Sequence, residues 1–339
     1  MCMKAVRFEG PGVLRLADLT TLDPGPLEVS IAPLAVGVCG TDAHILDGSF
    51  PARPGVVPGH EIAGRVVGLG NAVEDLHEGD LVTVEPHLYC GRCRSCRLGQ
   101  EHLCPDKRAF GVHLDGGMAE LMVVPARLAY LLPPDTDPNI GCLTEPLACA
   151  IHAMDRLEAR SGLPVLVIGA GPAGLLLVAL ARVAGLQVTV VEPDPARRTA
   201  ALAMGAAQAL DSGAPTWQAD ARALTDGAGF DYVIEAAGRP EGLEAAVTLA
   251  ARRGRLMVYG VARPGDVANI SPYEVYAREL TILGTALNPF THLRAVTMLG
   301  QLPLEVIEAG VFPLAAYADA FRAQQERQFL KVVIAPQLA

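Results

Sequence analysis

No apolar run in the 339 residues reaches the roughly 18 that a membrane helix requires, although 51% of the residues are hydrophobic. A membrane span is therefore not expected. With charged residues at only 19%, a disordered chain is excluded as well. The first residues, Met1-Cys2-Met3-Lys4-Ala5-Val6, lack a basic segment followed by an apolar stretch and a cleavage site; they read directly into an alternating strand, and a cytoplasmic protein is expected. Positive charge is scarce: 27 Lys and Arg stand against 37 Asp and Glu, a formal charge of −10, and the only lysines are Lys4, Lys107 and Lys331. Such a surface repels phosphate backbones and anionic membranes, which leaves small molecules as partners and excludes nucleic acid. A disulfide framework is also not expected from the eight cysteines, because cytosolic thiols stay reduced.

The length suits two domains of about 100 to 200 residues each. Up to about residue 137 the chain shows short alternating runs broken by glycine and proline, such as Val29 to Val38, Ile62 to Leu69, Leu81 to Val84 and Met118 to Val124. This predicts an irregular, mainly β domain. A helical stretch follows from about 140 to Arg160, and then apolar runs alternate with alanine-rich helical patterns, the mark of βαβ units around a parallel sheet. Six strands are expected there: Val165 to Ile168, Val188 to Val191, Ala209 to Leu210, Tyr232 to Ile234, Leu256 to Tyr259 and Thr281 to Leu283. That number fits the α/β Rossmann fold. The expected division is a mainly β domain over 1–144, with a cysteine-rich lobe at about 88–106, a parallel-sheet domain over 145–285, and a return to the first domain over 286–339.

Gly169-Ala170-Gly171-Pro172-Ala173-Gly174 follows one of these runs and opens a helix predicted over Leu175 to Ala184. A GxGxxG is weak evidence in a chain with 35 glycines, but the strand before it and the helix after it supply the context that makes it a phosphate cradle. Gly169, Gly171, Pro172, Ala173 and Gly174 are then the residues expected at the pyrophosphate of a dinucleotide, with unpaired N–H groups at the helix start facing the phosphates. Glu192 ends the next strand, 192 − 174 = 18 residues past the last glycine, where a carboxylate accepts hydrogen bonds from ribose hydroxyls and favours NAD. Arg197, with Arg198 beside it, is the dissenting signal, since an arginine there can reach the 2′-phosphate of NADP.

Four of the cysteines form Cys90-x2-Cys93-x2-Cys96-x7-Cys104. Four thiolates at this spacing close a tetrahedron around Zn²⁺ with no open position, a structural site. An iron–sulfur cluster of the bacterial ferredoxin type needs three residues before its last cysteine, not seven. A second set is dispersed: Cys39, His60 and Glu61, and Glu145 in Glu145-Pro146-Leu147-Ala148. Singly these read as a core thiol, a structural histidine and a carboxylate at a helix start; together they make a donor set that suits zinc with an exchangeable position.

Gly59-His60-Glu61-Ile62-Ala63-Gly64, followed by Gly70 and Val73, resembles the zinc-site signature of the medium-chain alcohol dehydrogenases. The cysteine lobe, the glycine turn and the closing Lys331-Val332-Val333-Ile334 match in order, so the likeness spans essentially the whole chain. It implies a GroES-like catalytic domain and a homotetramer. It also implies that Cys39 and His60 ligate a catalytic zinc, with Glu61 and Glu145 a carboxylate pair that exchanges on and off the metal. The Glu-Pro-Leu-Ala form around Glu145 is similar to the sorbitol, arabitol and threonine dehydrogenases, whereas the ethanol-oxidising branch has cysteine there. By the same likeness Thr41 takes the substrate proton and passes it through the cofactor ribose toward His44.

The expected reaction moves a hydride between a secondary alcohol, a polyol by preference, and NAD, with NADP use left open. Zinc lowers the pKa of a bound water from about 16 to about 7, worth roughly 12 kcal/mol, whereas a positioned general base supplies about 3 to 5. The metal is expected to dominate, with Thr41 and His44 as accessories. Substrate is expected near Thr41, Phe50, Phe110, Glu145 and Asn288. L-Threonine and simple secondary alcohols are the competing substrates. A non-catalytic NAD-sensing protein, the reading from a different class, could dispense with metal ligands or relay, and none is missing here.

Overall fold

The computed structural model describes residues 2–338, and its contacts divide the chain into two units. The first runs through Ala148 and takes up Pro289–Leu299 and the chain from Glu308 onward; the second comprises Cys149–Asn288 and Gly300–Ile307. Among the described residues no helix is long and apolar enough to cross a membrane.

The first unit is built on the hairpin Cys2–Gly10 with Val13–Thr20 and a seven-stranded sheet. In that sheet Glu28–Val38 lies between Lys331–Ala335 and Glu61–Leu69, antiparallel to both. Alternation is the reason: one side chain in two turns inward, and Ile31, Val36, Val38, Ile62, Val332 and Ile334 build one apolar core with Phe321. Register then carries function. Gly37 stands opposite Glu61 on one side and Val333 on the other, so the last residues of the central strand deliver Cys39 beside the first residues of both neighbours.

Two short elements differ from the sequence reading. The run Met118 to Val124 is a strand only over Met122–Pro125. Ahead of it, Val6 N–H donates to the Met118 carbonyl at 2.9 Å and Met118 N–H to the Pro58 carbonyl at 3.0 Å, so those residues serve other partners. Ala309–Pro313 is a parallel partner of Lys331–Ala335 that the pattern does not announce, because its five residues end in proline and contain glycine.

The second unit is an all-parallel sheet of six strands in the order Gln208–Leu210, Gln187–Val191, Pro164–Ile168, Phe230–Glu235, Ala250–Val258, Thr281–Gly284. Its central strands Pro164–Ile168 and Gln187–Val191 are buried on both faces over their last four residues, as a sheet covered by helices requires; Leu166, Val191, Phe230, Val233 and Leu256 form the core with alanines of the surrounding helices. Pro172 opens the helix Pro172–Val183 where its missing N–H costs nothing. Gly169 takes φ +100°, a left-handed region that suits glycine, and a side chain on Gly174 would run into the Gly169 carbonyl.

Candidate active site and metal centres

Cys39, His60 and Glu61 offer donor atoms that all lie within 4.8 Å of one another. His60 is 8% exposed and Glu61 1%. Cys39 caps the helix Gly40–Asp47, and its own N–H donates to Asp42 Oδ2 at 2.8 Å. Asp42 Oδ1 stands 3.7 Å from His60 Nδ1, too far for a hydrogen bond, and both buried atoms are without one. Burial opposes protonation of His60, but the charges of Asp42, Cys39 and Glu145 outweigh it and hold its pKa well above the usual value. A site that draws positive charge this strongly and leaves buried polar atoms unbonded fits a cation shared by a thiolate, an imidazole and a carboxylate. Glu145, in the first turn of the helix Thr144–Leu157, is not part of the 4.8 Å group, yet its charge acts on His60. Thr41 Oγ1 lies 3.8 Å from Cys39 Sγ, and His44 Nδ1 is 3.0 Å from Ser49 Oγ. Of the residues expected around the substrate, Phe110 packs against the hydrophobic core, Phe50 is exposed and Asn288 is buried.

The four cysteines of the lobe also converge, with donor atoms within 4.8 Å and no disulfide. Cys93 Sγ is 3.5 Å from Cys96 Sγ, and Cys90 Sγ is 3.9 Å from it. These distances bracket the sulfur–sulfur edge of about 3.8 Å that a tetrahedron with bonds of roughly 2.3 Å demands. Backbone amides of Arg92 and Cys93 pull the Cys90 thiol down to about 6, while burial and the neighbouring sulfurs push Cys96 up to about 12. Four crowded thiols cannot all ionise until a cation shares their charge.

At the glycine turn, Glu192 is 4% exposed and already engaged: Oε2 accepts the Ala170 N–H at 2.7 Å and Oε1 the Asp194 N–H at 3.1 Å. Its carboxylate braces the turn through these two amides. The two arginines divide their work. Arg198 binds the Glu192 and Pro193 carbonyls at 2.8 and 2.7 Å and pairs with Asp211 at 3.4 Å. Arg197 instead reaches toward Gly171, where its Nη1 is the nearest atom, at 4.0 Å, to the position a Cβ would take. That open space over Gly171 is what a phosphate approaching the backbone requires.

Residues 25–134 match the family model of the alcohol dehydrogenase GroES-like domain, and residues 172–299 that of the zinc-binding dehydrogenases. Over 290 residues the chain is 37% identical to an L-threonine 3-dehydrogenase of Pyrococcus horikoshii, covering 83% of this chain and 82% of that one. The chain belongs to the zinc-containing medium-chain dehydrogenase superfamily. It is likewise 32% identical to D-arabinitol dehydrogenase 1 of Uromyces fabae, over 98% of this chain and 97% of the relative. Among solved structures, a Sinorhizobium meliloti 1021 protein described as a zinc-binding dehydrogenase and bound to NADP superposes with a TM-score of 0.95 at 36% identity, covering 99% and 100% of the two chains.

As a zinc medium-chain dehydrogenase, the chain is an NAD(P)-dependent oxidoreductase with residues fitting one catalytic and one structural zinc. Two residues beside the catalytic set have no assignment in the sequence reading. Asp42 backs the His60 ring; burial pushes its carboxyl up against the pull of His60 and of the Cys39 amide. A carboxylate behind a ligating histidine orients the ring and raises its basicity. Lys331, 3% exposed, is ion-paired with Glu61. Burial disfavours its ammonium, yet Glu61, Cys39 and Cys142 more than compensate and raise its pKa. A lysine opening an apolar strand was the available signal, since buried lysines are almost always paired. Purified protein is expected to hold two zinc ions per chain, one lost readily to a chelator together with activity and one retained until the fold loosens; elemental analysis checks this, and iron in the lobe would contradict it.

Proposed function

We propose that the enzyme oxidises a secondary alcohol of the polyol class with NAD, and that Cys39, His60, Glu61 and Glu145 hold its catalytic metal. The observation that carries this reading is the buried donor set Cys39, His60 and Glu61, with the charge of a second carboxylate, Glu145, bearing on it. When bound, zinc acts as a Lewis acid that makes the hydroxyl proton of a coordinated alcohol easier to lose. Thr41 would take that proton as it gives up its own hydroxyl proton through the cofactor ribose toward His44, whose Nδ1 lies 3.0 Å from Ser49 Oγ. A nicotinamide bound at the glycine turn would accept the hydride of the carbinol carbon, so that alcohol and NAD would become ketone, NADH and one proton. The arabinitol dehydrogenase relative supports a polyol; the threonine dehydrogenase relative keeps L-threonine as a second reading. A panel of pentitols, hexitols, L-threonine and simple secondary alcohols tests the choice: kcat/KM should be highest for a polyol, and a clear optimum on L-threonine would replace the reading. A homotetramer, which rests on family resemblance, and a cytoplasmic location are also part of the proposal.

Cofactor choice follows from charge. Glu192 faces the ribose end of the turn and repels a 2′-phosphate, while Arg197 attracts one. NAD is expected to have the higher kcat/KM, and Arg197→Ala to weaken NADPH binding by about tenfold while leaving NADH within about twofold. Glu192→Ser should narrow or reverse the preference. Because it also removes the acceptor for the Ala170 and Asp194 amides, both cofactors should bind it less tightly than they bind the parent. Titration calorimetry with the two reduced cofactors measures these differences, and a parent that prefers NADP would overturn the assignment of Glu192.

A further inference from the structure

In an open parallel sheet, ligands bind outside the strand ends where the strand order reverses. Here that point lies between Pro164–Ile168 and Phe230–Glu235, neighbours in the sheet though not in the chain. Ile168 pairs with Glu235, so the glycine turn and the turn over residues 236–239 leave the sheet side by side. They touch: Ala236 N–H donates to the Ile168 carbonyl at 2.9 Å, and a Cβ on Gly169 would lie 3.1 Å from the Ala237 nitrogen.

The second turn is organised by one buried carboxylate. Glu235 is 2% exposed, and its Oε1 accepts the N–H of Ala237 at 2.9 Å and of Arg239 at 3.4 Å. Its backbone carbonyl accepts Tyr259 N–H at 2.9 Å and Gly260 N–H at 2.8 Å, tying the same residue to the next strand end. Packing holds the carboxylate between two glycines. A Cβ on Gly242 would fall 2.8 Å from Oε1, and one on Gly260 the same distance from Oε2. Burial raises the Glu235 pKa, partly offset by the amides of Arg239, Ala237 and Gly238. A buried carboxylate is costly to keep when a small neutral side chain could cap the helix Pro240–Leu249. Its distinctive effect is to hold the turn at a fixed height against Gly169.

We propose that Glu235 is a positioning residue for the cofactor, its carboxylate fixing the turn over 236–239 as the second wall of the dinucleotide crevice, opposite the glycine cradle. The inference rests on the dinucleotide-binding reading above. Two variants test it from different sides. Glu235→Gln keeps the volume but removes the charge that gathers the amides; Gly242→Ala keeps the charge and displaces the Glu235 side chain, whose Oε1 and Cγ lie 2.8 and 3.0 Å from the new Cβ. Each is expected to raise the NADH dissociation constant, measured calorimetrically without substrate, by about tenfold, as loss of a charge-assisted anchor does. The KM for NAD should rise in parallel, with kcat falling less, and the holoenzyme should keep two zinc ions and an unchanged melting temperature in the absence of cofactor. If Glu235→Gln fails to accumulate, Gly242→Ala decides alone. Folded, zinc-loaded variants that bind NADH within about twofold of the parent would overturn the inference. A parent that binds neither NADH nor NADPH would instead overturn the dinucleotide reading, and the inference with it.

Discussion

Cys39→Ser is expected to remove the catalytic zinc and lower kcat/KM by about a thousandfold or more, because a bound metal supplies several kcal/mol of transition-state stabilisation. The substitution replaces a soft thiolate with a neutral, harder hydroxyl, which leaves His60 and the carboxylates too few anionic donors to retain zinc. The fold should persist, since Cys39 sits at a helix start and the strands it joins are held by Val36, Val38, Ile62 and Val332 in the core. Cys93→Ser should behave in the opposite way. In a closed four-thiolate site the binding free energy of the metal is folding free energy, so the expected result is a lower melting temperature and poor recovery, with normal turnover per folded molecule. Zinc content, melting temperature and active-site titration of the two variants separate these outcomes. A Cys93→Ser protein as stable as the parent but selectively inactive would reverse the assignment of the two metal sites.

Lys331→Met should destabilise the protein by about 3 to 5 kcal/mol, the usual loss when one partner of a buried ion pair is removed. The ammonium is buried, and without it the Glu61 carboxylate faces Cys39 and Asp42, both negative when ionised, with only His60 and the metal site to offset its charge. The double variant Glu61→Gln with Lys331→Met should recover much of the loss, because it removes both charges and leaves a neutral contact of similar volume. Urea midpoints of the two single variants and the double variant give the coupling. Zinc content provides an independent reading: in Lys331→Met the freed carboxylate has the metal left to neutralise it, so zinc should dissociate more slowly than from the parent. A Lys331→Met protein within about 1 kcal/mol of the parent would show that the pair does not anchor Glu61.

What the sequence determined by itself is whatever depends on neighbours along the chain. The spacing of Cys90, Cys93, Cys96 and Cys104 implies a closed metal site because all four sulfurs come from one short loop, and their observed separations fit a tetrahedron. The glycine turn is legible for the same reason: strand, turn and helix are consecutive, and Gly169 and Gly174 answer local steric demands. The six parallel strands were visible as apolar runs, though Ala250–Val258 begins well before Leu256: Ala-Ala-Arg-Arg-Gly carries no strand signal, and of its residues Ala250 pairs with Phe230 before a register shift, after which pairing resumes at Arg255 opposite Tyr232.

Only the tertiary structure decided which charges meet. Cys39, Glu61 and Lys331 are brought together by the register of three adjacent strands, and no local pattern encodes that Gly37 stands between Glu61 and Val333. The same holds for the arginines after Glu192, identical in the sequence but separated in space, one bound to backbone carbonyls and the other reaching toward Gly171. Asp42 and Glu235 read as ordinary acids until burial is known. The physical reason is that hydrophobic periodicity reports which side of an element is covered, whereas the partner of a buried charge depends on how distant strands align, and the strength of that pairing depends on the water excluded around it.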